Sequence, residues 1–151
     1  MKRSPALALG TVLASGTAML AFAQPSVAAD HASEPKAGPV NWSAAHGDAG
    51  ASGTRWTESG TIFPTLKIEG DLEKFGAGCS SLWVKWTHDL APLPPKKVVT
   101  QCGAGSKPVS ITLQSYMPTT TGAVAVCEGD AGTSDCGTWE SVTSWPVGRH
   151  G

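Results

Sequence analysis

Residues 79–102 read CSSLWVKWTHDLAPLPPKKVVTQC, and this stretch decides the fold. From Ser80 to Leu90, one parity carries Leu82, Val84, Trp86 and Leu90, with His88 among them. The other carries Ser81, Trp83, Lys85, Thr87 and Asp89. A period of two predicts a strand with one face on a core and the other towards water. Ala91-Pro92-Leu93-Pro94-Pro95 breaks the ladder, because each proline lacks a backbone donor and fixes φ, so a stiff proline turn is expected there. Val98, Val99 and Thr100 suit a returning strand. Cys79 and Cys102 stand nearly equidistant from the turn, so antiparallel pairing brings them together. Closing that loop stabilises the fold by about 3 kcal/mol, mostly through the unfolded state.

The N-terminus sets the compartment. Lys2 and Arg3 precede a charge-free apolar run from Ala6 to Ala23, and Ala21-Phe22-Ala23 and Val27-Ala28-Ala29 are small-residue cleavage patterns. That layout predicts a secretory signal peptide over 1–29, and hence a secreted product with no membrane association after signal removal. All four cysteines follow the signal, and an even count in an exported chain predicts two disulfides. Three connectivities exist; Cys79–Cys102 and Cys127–Cys136 are favoured because each closes a hairpin. Without C-x-x-C pairs the cysteines do not read as a metal site.

Removing Lys2 and Arg3 leaves 9 of 11 basic residues against 12 acidic ones, a net charge of −3. That excludes the basic footprint of a nucleic-acid binder and a polybasic patch for anionic lipid. The 122 residues left after cleavage suit one domain, expected as a monomer.

Residues 30–54 are dominated by Ala, Gly, Ser and Pro, with Trp42 their only large apolar residue, and read as a flexible arm. Asn41-Trp42-Ser43 matches a glycosylation sequon by chance. The domain is expected over 55–147. Arg55–Glu58 and Thr61–Phe63 suggest a first strand interrupted by Gly60. In Thr65–Lys74, Leu66, Ile68 and Leu72 oppose Lys67, Glu69, Asp71 and Glu73, a strand with a solvated charged face. Gly103–Ser106 reads as a turn; Val109, Ile111 and Leu113 mark another strand, as do Ala123–Cys127 and Thr138–Trp145. Residues 148–151 read as a tail. The expectation is all-β: a small antiparallel β-sandwich of six or seven strands, of immunoglobulin-like size, with two disulfides.

Motifs for chemistry are sparse. The chain has no G-x-S-x-G elbow, no H-E-x-x-H and no phosphate-cradling glycine loop, so no enzyme activity and no cofactor are expected. Gly132-Thr133-Ser134-Asp135-Cys136-Gly137 places Asp after the serine, unlike a serine-protease nucleophile stretch, and reads as a disulfide-closed turn. His88 and Asp89 point to opposite faces, which excludes a dyad. Glu128, Asp130 and Asp135 on a glycine-bearing loop raise a calcium reading, but the spacing is not an EF-hand loop, and a solvated acidic turn with no metal is expected. Pro92-Leu93-Pro94-Pro95-Lys96-Lys97 matches a P-x-x-P ligand but reads as a rigid hairpin tip, with Lys96 and Lys97 guarding the strand edge. The six tryptophans are more informative. Trp83, Lys85, Trp139 and Trp145 are the candidate ligand-binding residues, since outward-facing rings stack on sugars and other flat apolar surfaces.

The signal, the hairpin CSSLWVKWTHDLAPLPPKKVVTQC and the loop VCEGDAGTSDCG together resemble small exported β-sandwich proteins of actinobacteria, most without assigned activity. Enediyne apoproteins and subtilisin inhibitors share the size and the two-disulfide count. The former have two short cysteine loops where this chain has one long one, and the latter place a large apolar or basic residue after a cysteine. The expected function is a secreted, non-catalytic protein that binds an extracellular ligand, whether cell-wall glycan, protein or small molecule. The alternative is a secreted protease inhibitor using an exposed hairpin loop.

Overall fold

The chain passes between two β-sheets. The computed structural model describes residues 38–143 and the backbone of 148–150. The expected signal peptide, residues 30–37 and Trp145 lie outside the described residues. In chain order the strands are β1 (Val40–His46), β2 (Ala49–Glu58), β3 (Thr65–Lys74), β4 (Cys79–His88), β5 (Ala91–Pro92), β6 (Lys96–Cys102), β7 (Gly105–Leu113), β8 (Thr121–Glu128), β9 (Glu140–Ser141) and β10 (Gly148–His150).

The first sheet has the order β1-β2-β3-β7. Its short β10 runs parallel to β2 at Trp56–Glu58, beyond the stretch that β1 pairs. In the second sheet β4 is flanked by β8 and then β9 on one side, and by β5 and β6 on the other. All pairings except β10 with β2 are antiparallel. Period-two alternation sets the inner faces: Leu66, Ile68, Leu72, Val109 and Ile111 of one sheet meet Leu82, Val84, Trp86, Val124 and Val126 of the other. The protein is an all-β sandwich with the expected disulfides, Cys79–Cys102 and Cys127–Cys136.

The arm expected over 30–54 is corrected: from Val40 onward it is β1 and most of β2, so the described sandwich begins at residue 40, not 55, and has ten strands rather than six or seven. Small residues build these strands because another side chain fills the space they leave. Trp42, Ala44, Ala49 and Ala51 are buried on the inner face. Gly53 faces Gly70 across β2 and β3, and a Cβ on either would collide with the opposite backbone. Trp42 pairs with Gly53, and its Nε1 donates to the Glu69 carbonyl at 3.1 Å. The indole is thus anchored beside the glycine pair, on the strand next to Gly53. Gly47 takes φ 58°, which allows the tight turn between His46 and Ala49.

The proline turn is also corrected. His88 pairs with Ala91, so the hairpin reverses at Asp89-Leu90, with φ 46° and 68°. Leu90, expected on the core face, is 93 % exposed. Pro92 is itself in a short edge strand, where a missing donor is tolerated. The return strand slips by one residue between Leu82 and Trp83, because Leu82 pairs with Val99 and Trp83 with Lys97. Thr61–Phe63 is loop rather than strand, the described part of the last predicted strand, residues 138–143, is strand only at Glu140–Ser141, and 148–150 pairs with β2 instead of forming a free tail.

Lys74 follows the inward parity of β3 and is fully buried. Its ammonium pairs with Asp48 in the β1–β2 turn. That hydrogen bond, ahead of opposing desolvation, holds the Asp48 carboxyl below its ordinary value.

Candidate functional site

Short connections dictate which loops share an end of the sandwich. The β7–β8 loop bonds to both sheets at one end: Tyr116 N donates to Pro64 O at 2.8 Å, and His88 Nδ1 lies 3.2 Å from Thr120 Oγ1. The 59–64 loop, the Asp89-Leu90 turn and the 114–120 loop therefore lie together. At the other end, Phe75 N donates to Asp48 O at 3.0 Å and Gly129 N to Cys79 O at 2.7 Å, gathering the β1–β2 turn, the 75–78 connection and the loop closed by Cys127–Cys136.

The described tryptophan candidates, Trp83 and Trp139, lie on the outer face of the second sheet. Trp83 pairs with Ala125, and Lys85 with Ala123. Ala125 holds an outward register position yet is completely buried. Trp83 is half-buried, and its Nε1 donates to Ser81 Oγ at 2.9 Å. The Lys85 ammonium sits 4.2 Å from the centre of the Trp139 ring, a cation–π contact. The structure therefore brings Lys85 and Trp139 together, with Trp83 two residues along the same face. One face of Trp139 is already taken by Lys85, so this is a partly occupied surface rather than an open stacking platform. Nearby, Ser81 Oγ donates to Gly129 O at 2.7 Å and Lys97 Nζ to Asp130 O at 3.0 Å, tethering the Cys127–Cys136 loop over the face.

A polar groove of about 670 Å³ opens between the first sheet's edge and β9, with Asn41, Ser43, Ser52, Thr54 and Glu140 among its lining residues. Arg55 lies at its base with Nη1 donating to Ser141 O at 3.3 Å, and burial lowers its pKa. Burial likewise raises the pKa of Tyr116.

Among the described residues, the two most exposed large apolar side chains, Leu90 and Ile62, belong to the loop end, while Phe75, 73 % exposed, lies at the other end. Ile62 is 83 % and Leu90 93 % exposed, and Phe63 and Leu93 are each 43 % exposed. Leu93 is held between Pro92 and Pro94, with its backbone N donating to Trp86 O at 2.8 Å. Sequence reasoning placed Leu90 inside the core because it shares the parity of Leu82, Val84 and Trp86. The signal that finds it is the adjacent Asp89, a residue tolerant of left-handed backbone, at the end of an alternating run.

The acidic loop also differs from expectation. Asp130 stands apart, while His46 joins Glu128 and Asp135, with ligand-capable atoms all within 4.8 Å of one another. His46 Nε2 lies 2.8 Å from Asp135 Oδ1. His46 was missed because its stretch read as an arm; the Gly47-Asp48 hairpin signal was the available clue.

Compared with known family models, curated proteins and solved structures, the chain matches none.

Proposed function

We infer that this chain is an exported, non-catalytic binding protein that engages a protein partner through the loop end carrying Leu90. The signal-like N-terminus and the two disulfides support an oxidising, extracellular setting. Leu90 carries the reading. A two-residue hairpin turn with both φ values positive favours Asn-Gly or Asp-Gly, and a leucine at φ 68° is strained there by about 1–2 kcal/mol. Its exposure brings no compensating burial. Folding gives no reason for leucine at this position, whereas contact with an apolar pocket on a partner does. Ile62, Phe63 and Leu93 at the same end add apolar surface. Three of these four side chains are aliphatic, which suits a protein surface better than a sugar face.

A photo-crosslinking residue at position 90, displayed by the exported protein in its native culture, tests this. A discrete adduct at position 90, with none from a probe at Ser110 on the first sheet's outer face, supports the reading; equal labelling at both positions refutes it. A protease-inhibitor role is the special case favoured by the anchored, half-exposed Leu93. Titration against subtilisin- and trypsin-like proteases decides it by stoichiometric loss of activity. The glycan reading rests on Trp83, Lys85 and Trp139, and predicts retention on insoluble peptidoglycan that Trp83→Ala abolishes.

A further inference from the structure

The geometry points to a divalent transition-metal site at the opposite end of the sandwich, with His46, Glu128 and Asp135 as ligands and Zn²⁺ as the best-suited ion. The three residues come from both sheets. His46 ends β1, Glu128 ends β8, and Asp135 precedes the second cysteine of the β8 disulfide. Their donor atoms lie within 4.8 Å of one another. Ligands about 2.0–2.2 Å from a zinc ion stand some 3.3–3.6 Å apart in a tetrahedron, so small side-chain rotations close the set.

The backbone already holds two of these ligands in place. Cys127 and Cys136 pair as an isolated bridge and are crosslinked, and Glu128 N donates to Asp135 O at 2.9 Å. Glu128 and Asp135 therefore emerge side by side from a covalently closed ring. The third ligand approaches over the Gly47 turn: Glu128 Oε2 lies 3.4 Å from where a Cβ on Gly47 would stand. Asp130, which would add a further oxygen for calcium, is not among the clustered donors, and its carbonyl accepts from Lys97.

The donor set selects the ion. One imidazole nitrogen and two carboxylates suit zinc and its neighbours, whereas calcium seeks six to eight oxygens and magnesium a nearly complete oxygen octahedron. Three protein ligands leave a further position for water or for a donor from outside the chain. A bound ion would fasten the end of β1, in one sheet, to the segment that follows β8 in the other.

Isothermal titration of the purified, disulfide-bonded protein with zinc chloride tests the site, with Mn²⁺ and Ca²⁺ titrated separately. One equivalent of Zn²⁺ is expected, weakened at least tenfold in His46→Ala and in Asp135→Asn but unchanged in Glu69→Gln on the outer face of β3. The imidazole signals of His46, followed by NMR, should shift with zinc in proportion to occupancy. Asp135→Asn changes an exposed side chain and serves as the variant whose fold is least at risk, with circular dichroism as the check. Absence of binding up to 1 mM Zn²⁺ overturns the proposal. So does zinc binding that His46→Ala leaves intact, or tighter binding of Ca²⁺ than of Zn²⁺.

Discussion

Replacing Leu90 by glycine should make the protein more stable while weakening the partner contact proposed for it. The turn fixes Asp89 at φ 46° and Leu90 at φ 68°, and the pairing of His88 with Ala91 leaves no residue to relax into. Left-handed backbone costs a leucine about 1–2 kcal/mol, and glycine takes the same conformation without that cost. Glycine also increases the entropy of the unfolded chain, giving back about 0.5–1 kcal/mol. Leu90 is 93 % exposed, so almost no burial is lost. The balance is a gain of about 0.5–1 kcal/mol, or roughly 2–6 °C in Tm for a domain of this size. Leu90→Asn, whose side chain tolerates the same backbone without glycine's entropy, should match it within about 1 kcal/mol. Differential scanning calorimetry of the two variants against the parent provides the measurement. A lower Tm in both would mean that the leucine serves the fold, and the argument for a contact role at this turn would fail. A raised Tm together with an unchanged crosslinking pattern from a probe at position 93 would separate the turn's strain from its binding role.

Other perturbations follow from the same framework. Trp42→Ala leaves the Gly53–Gly70 pair uncovered and should cost about 3–5 kcal/mol in urea unfolding. Removing the Cys79–Cys102 crosslink should cost more than removing Cys127–Cys136, since it closes the longer segment, 23 residues against 9; by loop entropy the first is worth about 3 kcal/mol. Asp48 titrates below its ordinary value because Lys74 donates to it, so the stability it contributes is complete above the unfolded carboxyl pKa and lost as pH falls through the lower folded value. Urea midpoints measured from pH 6 to pH 2 should therefore fall less steeply in Lys74→Met than in the parent. Asp48→Asn should destabilise at neutral pH, because it leaves a buried ammonium without its counter-charge. Lys85→Ala should alter Trp139 fluorescence while changing stability by no more than about 1 kcal/mol.

What was legible in the sequence depended on side-chain size. Thr65–Lys74 was readable to both boundaries because Leu66, Ile68 and Leu72 alternate with charges, and only one register buries them. The crosslinked hairpin was readable for the same reason, with its ends set by Cys79 and Cys102. The β1–β2 hairpin was not, since its inner face is made of Ala44, Ala49, Ala51 and Gly53, which carry little apolar signal of their own. Its burial comes from a distant partner: β3 approaches closely at Gly70, and Trp42 is anchored on the Glu69 carbonyl. Such complementarity joins residues 27 positions apart and leaves no local period. The candidate sites failed to show for a related reason. Leu90 obeys the core alternation and is expelled by a turn whose position only the pairing reveals, and His46 meets Glu128 and Asp135 only because the two sheets share an edge there. Alternation reports which face a residue occupies within a strand. It does not report where the strand stops or what another sheet brings beside it, and both the Leu90 turn and the His46, Glu128 and Asp135 cluster lie at strand ends.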